Sequence, residues 1–277
     1  MDSTTLSFLA APFAASLILT GIHAYLGVHV VERGVIFVDL SLAQIAVLGA
    51  TLALVLQAGG GHTPLVYWMS LGFTFVGAAV FATVRTHKSR IPQEAVIGIC
   101  YAVASAAAIL AMSKAPSESE HLKDMLVGNI LAVSWEKVFQ TALLYAAVGA
   151  FHFVFRKKFL AISVNHERAE ETGLNVRFWD FLFYASFGFV VTSSVSIAGV
   201  LLVFCYLIVP SVAAMLYSEH IGTRLAIGWT MGTVVSAAGV YLSLILDFPT
   251  GATIVCTFGV ALVIMAGCRP LFLKAAR

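Results

Sequence analysis

The sequence predicts an all-α protein: a polytopic bundle of transmembrane helices with about nine spans, or eight if the break at Ile197-Ala198-Gly199 is a kink. Three observations predict it. Of 277 residues, 60% are hydrophobic and 11% charged, against roughly 25% charged in soluble domains. The apolar runs are about 20 residues long, the length of a helix across the hydrocarbon core, instead of alternating ten-residue strands. With nine spans and the N-terminus outside, only Lys114, Lys123 and Lys137 of the 16 Lys and Arg fall on the outer side, as the positive-inside rule expects.

Each element follows from the same reading. Span one covers about residues 6–28; it has no basic segment before it and no cleavage site within it, so it reads as a retained helix rather than a signal peptide. The short turn Val31-Glu32-Arg33-Gly34 leads into span two, about 35–56, which Asp39 and Gln44 interrupt. Gly59 to Pro64 is a turn by composition. Span three, about 65–84, ends at the basic run 85–90, and Pro92 opens span four, about 94–112. The polar segment 113–136 carries Glu118, Glu120, Asp124 and Glu136, and span five follows at about 138–155. Spans six and seven are read at about 178–195 and 200–217, span eight at about 225–246 and span nine at about 252–265.

Between spans five and six lies the longest charged interruption: Arg156-Lys157-Lys158, then His166 to Asn175 with Glu167, Arg168, Glu170 and Glu171. Charges in mid-bilayer cost about 2.5 to 3.5 kcal/mol each on insertion scales, so this stretch lies in water. Its pattern predicts a short amphipathic helix closed by Gly173 as C-cap. It is either a solvated loop between two spans or a docking helix for a partner on the inner side.

Within the spans, polar residues are few. Asp39 lies about one turn inside span two. A carboxylate there marks a pathway, or else it pairs with Arg33 or caps the helix start. His23 and His29 are six residues apart, about 240° around a helix, and so share no face. Each of them, like His152, has a plain reading as a hydrogen-bonded packing residue. Gln44 reads as a bridge between helices. Asp247-Phe248-Pro249-Thr250-Gly251 reads as a helix-ending turn, with Asp247 also a candidate for the outer mouth. Ala43, Ala46, Gly49 and Ala50 in span two, and Gly228, Gly232, Ser236 and Gly239 in span eight, have the spacing of close helix contacts. Gly199 and Pro210 mark backbone breaks. Cys100, Cys205, Cys256 and Cys268 are isolated in or at the end of apolar runs and suggest packing, with no metal knuckle and no disulfide framework. No GxxxxGK[ST], HExxH or GxSxG occurs, so the chain is not an ATPase of the phosphate-loop kind or a hydrolase of those two classes.

Six segments, in order, resemble the permease subunit of bacterial ABC importers for zinc, manganese or iron. They are Val31 to Ala43, Ile97-Gly98-Ile99, Leu126 to Trp135 (containing Leu126-Val127-Gly128-Asn129-Ile130-Leu131), Glu167 to Gly173, Gly199 to Ala214, and Asp247 to Ala252. The resemblance implies a type II ABC importer-like fold, one transmembrane permease domain over 1–277, and a multi-pass location in the bacterial inner membrane. It implies a transported divalent metal ion, zinc or manganese, with no resident cofactor. It also implies partners: a cytosolic ATPase docked on a coupling segment at about 160–177, a second permease copy, an external solute-binding protein and membrane lipid, but no nucleic acid. On this reading the coupling residues are His166, Glu167, Ala169, Glu170 and Gly173; Asp247 and Asn129 lie at the outer mouth; and Asp39, with His23 and His29, lines the pathway. One departure stands out: the family has Asp and His four residues apart, a pair suited to a passing divalent metal, and here Ala43 replaces the His. Two alternatives remain at this point: an ABC permease for a chelated metal or another small cargo, which needs no such His, and a secondary cation transporter using Asp39.

Overall fold

A computed structural model describes residues 3–56, 64–84, 91–113, 128 and 130–275, with side chains from 9 to 269. The expected turn at 59–63, the basic run 85–90, the acidic segment 114–127 and Asn129 lie outside the described residues. Among the described residues there are ten α-helices, a 3-10 turn and no strand. They are α1 Ser3–Glu32, α2 Val38–Leu56, α3 Pro64–Val84, α4 Gln93–Met112, the turn Ile130–Ala132, α5 Trp135–Val154, α6 Arg156–Val164, α7 His166–Glu171, α8 Val176–Met215, α9 Ile221–Leu246 and α10 Thr250–Ala275. All-α architecture follows from the composition, because a backbone surrounded by lipid can satisfy its N–H and C=O groups locally only as helix.

Eight of these helices are long and apolar enough to cross a membrane. The count falls one short of nine at one place. Spans six and seven lie in the 40-residue α8, which is two helices meeting at a kink: Gly199 takes a non-helical conformation there, φ 74° and ψ 162°. At 1.5 Å per residue, its 40 residues supply about 60 Å of helix in all, enough for two crossings of the hydrocarbon core. A left-handed φ is open to glycine without a Cβ clash, and the break comes where the sequence places it.

The helices group into two compact units. The first takes α1, the 3-10 turn, α5 up to Tyr145, α8 from Ile197, α9 and α10. Inside it α1 and α9 touch through small residues. Gly232 faces Thr20, where an added Cβ would come within 2.3 Å of Thr20 Cγ2, and Trp229 Nε1 donates to the carbonyl of Gly21 at 3.0 Å. Gly27 abuts the backbone of α8, since a Cβ there would stand 2.0 Å from the Leu207 carbonyl oxygen. Ser236, from the same small-residue series, lies 3.2 Å from the Tyr206 hydroxyl, and Tyr206 meets the edge of Phe258 on α10.

The second unit takes α2, α3, α4, α5 from Ala146, α6, α7 and α8 up to Ser196. Here Gly49 lets α2 approach the backbone of α3 at Met69, and Ser70 Oγ donates to the Ala46 carbonyl at 2.7 Å. Thr74 on α3 meets Thr192 on α8 hydroxyl to hydroxyl at 3.2 Å. Gln93 Nε2 at the start of α4 donates to the Phe81 carbonyl at 2.9 Å and lies 3.2 Å from the Tyr184 hydroxyl. His152 is a packing residue: it is buried, stacked on Phe159 at 4.4 Å, with Nε2 2.8 Å from Ser186 Oγ. Gln44 is buried. The four cysteines are all free thiols.

Candidate coupling segment and intramembrane carboxylate

The charged stretch folds as α6 and α7. Asn165 separates them in extended conformation, and its side chain accepts from the Arg168 N–H at 3.0 Å, the N-cap of α7. At the other end the Gly173 N–H donates to the Glu170 carbonyl at 2.9 Å and the Leu174 N–H to the Ala169 carbonyl at 3.2 Å. With Gly173 at φ 83°, these two bonds make a Schellman C-cap. Between the caps, Ala169 is buried and anchors the helix, while Glu167, Arg168, Glu170 and Glu171 are exposed and His166 is half-buried. An acidic face is therefore held in fixed orientation on a capped turn.

Beneath this segment lies a buried cluster. Arg33 ion-pairs through Nη1 with Asp180 of α8, with both side chains fully buried. Its Nε donates to Ser163 Oγ at 2.9 Å, Ser163 donates in turn to the Phe159 carbonyl at 2.8 Å, and the guanidinium lies 4.0 Å above the Phe183 ring. Arg33 thus joins the α1–α2 turn, α6 and α8 at one point. Sequence reasoning offered Arg33 as a partner for Asp39; the structure gives it to Asp180. Asp180 and Ser163 were missed, although one signal was available: Asp180 is a second carboxylate inside a predicted span.

Asp39 is left without that partner. It lies in the first turn of α2 at 0% exposure, and among the described residues neither carboxylate oxygen has a hydrogen-bond partner. It therefore does not cap the helix either. Ala43, one turn further along the same face, is also fully buried. A buried carboxylate without a partner is expensive to desolvate, so a charge on Asp39 costs the fold stability.

His23 and His29 are buried in the first unit, while Asp39 belongs to the second. His23 Nδ1 lies 2.8 Å from the Leu19 carbonyl and its ring meets Tyr145 edge-on; His29 meets Tyr25 edge-on. Both have the helix and ring contacts of packing residues. Asp247 is the left-handed C-cap of α9, φ 53° and ψ 41°, and is exposed. Among the described residues no group of three or more His, Cys, Asp or Glu is arranged to hold a metal ion.

Comparison with known proteins bears on this arrangement. The family model described as the ABC 3 transport family matches residues 5–268. The manganese transport system membrane protein MntC of Listeria innocua is 32% identical over 196 residues, 68% of this chain and 69% of that protein. The chelated iron transport system membrane protein YfeC of Yersinia pestis is 25% identical over 249 residues, 90% of this chain and 82% of that protein. Among solved structures, PsaBC from Streptococcus pneumoniae in complex with Fab is similar in fold, with TM-score 0.77 and 23% identity over 93% of this chain and 90% of that one.

Proposed function

This chain belongs to the ABC 3 transport family and is a metal ABC permease of a bacterial membrane, and on that premise we propose that its cargo is manganese and that α7 receives the ATPase that drives it. The energy comes from a separate ATPase subunit, a second permease copy completes the pathway, and an external solute-binding protein delivers the metal. Transport rather than chemistry is the chain's own task.

The observation that carries the cargo reading is Asp39. Its carboxylate is buried and unpartnered among the described residues, and Ala43 removes the imidazole that would stand one turn away. Oxygen donors without imidazole suit manganese better than zinc. The manganese relative in Listeria points the same way.

The test measures accumulation of manganese, zinc and iron in cells lacking this chain and complemented with wild type or Asp39→Asn. Wild type restores manganese, and Asp39→Asn lowers uptake about tenfold or more, the weight of roughly 1.4 kcal/mol. The same variant keeps or gains thermal stability, because it removes a buried charge without a partner. Uptake unchanged by Asp39→Asn would remove Asp39 from the pathway. A second reading is transport of a chelated metal, favoured by Ala43 and by the Yersinia relative. Supplying the same metals free and chelated separates the two.

A further inference from the structure

We propose that the cationic collar at the junction of α5, α6 and α8 is a binding site for the phosphate of an anionic phospholipid. This goes beyond the transport reading and does not depend on the cargo. Arg156, Lys157 and Lys158 follow the end of α5 after one residue, Phe155, and Arg177 lies in the first turn of α8; all four are exposed. Among the described residues none of them is ion-paired.

Aromatic rings hold two of these cations in place. Arg156 lies 4.3 Å over the Phe153 ring. Lys158 lies 4.4 Å over Trp179 and 5.6 Å over Phe155. A cation over a ring is oriented yet keeps its hydrogen-bond donors. Phe153 is 66% exposed and Val154 71%, at the end of a membrane-spanning helix, so the surface below the cations is apolar and faces outward. Phe178 is exposed beside Trp179. Apolar wall, aromatic belt and unpaired cations, stacked in that order, match acyl chain, interface and headgroup phosphate.

A protein ligand is the poorer fit. The exposed carboxylates of α7 suit a basic partner, whereas the collar is cationic and adjoins the exposed apolar side chains Phe153 and Val154. Juxtamembrane cations contribute about 1 kcal/mol each toward anionic lipid, roughly fivefold in affinity per charge.

The test titrates the full-length chain, solubilised in neutral detergent, with phosphatidylglycerol or phosphatidylcholine and counts retained lipids by native mass spectrometry. Wild type retains phosphatidylglycerol preferentially. The preference falls about fivefold for each of Arg156→Gln and Lys158→Gln, and persists in Lys158→Arg, which keeps the charge. Inorganic phosphate at millimolar concentration does not displace the lipid, because it lacks the acyl chains. Equal retention of the two lipids by wild type overturns the proposal whatever the variants do. So does an unchanged preference when Arg156, Lys157 and Lys158 are all Gln, and displacement by inorganic phosphate assigns the site to a free anion instead.

Discussion

At the residue scale, the two carboxylates near the ends of their helices have opposite fates. Asp180 has Arg33, which also serves Ser163 and rests on Phe183; Asp39 has no hydrogen-bond partner among the described residues. Breaking a buried pair from one side leaves a bare charge and typically costs about 3–5 kcal/mol, whereas replacing both members by apolar groups is often neutral. Asp180→Ala is therefore expected to lower the unfolding temperature of the purified chain sharply, and Arg33→Met with Asp180→Leu to restore most of it. Ser163→Ala removes the hydrogen bond from Nε and the one that Ser163 donates to the Phe159 carbonyl, and should cost about 1 to 2 kcal/mol. Equal stability of Asp180→Ala and the double variant would show that the pair is not a buried, dry contact. None of this was legible in the chain order: Arg33 and Asp180 are 147 residues apart, while Asp39 stands close to Arg33 in sequence and looked the natural partner.

At the scale of elements, α7 was largely legible. The charged run and Gly173 are local signals, and the N-cap Asn165 is a local feature that the sequence reading passed over; caps are made by residues within one turn of the helix end. Gly173→Ala meets no neighbour within 4 Å, so its effect is the strain of a left-handed φ alone, about 1 kcal/mol, and Gly173→Asn should be milder. If α7 is the docking helix, Glu167→Lys with Glu170→Lys abolishes co-purification of the ATPase while the chain remains in the membrane at normal abundance. An intact complex in that variant would move the docking surface elsewhere. The break in α8 was legible in place but not in form, because a glycine in an apolar run signals a turn or a kink equally well. The backbone angles at Gly199 make it a kink between two helices.

For the whole molecule, the distribution of charge assigns each end to a side of the membrane. The Lys and Arg bias predicts that Glu170 lies inside and Asp247 outside. Single cysteines placed at these positions, in a background with the four native cysteines replaced by serine, should be labelled by a membrane-impermeant thiol reagent from opposite sides. Labelling of Glu170→Cys from outside would overturn both the orientation and the role given to α7. The long apolar helices, their approximate bounds and the polar helix closed by Gly173 were determined by the sequence alone, whereas the count of eight instead of nine came from the structure. Each depends on composition or on neighbours within a turn, and lipid leaves a backbone no other choice. The tertiary structure decided which charge is neutralised, which is left bare, and which cations gather against which rings. Those outcomes depend on contacts between helices far apart in the chain, and no local pattern encodes them.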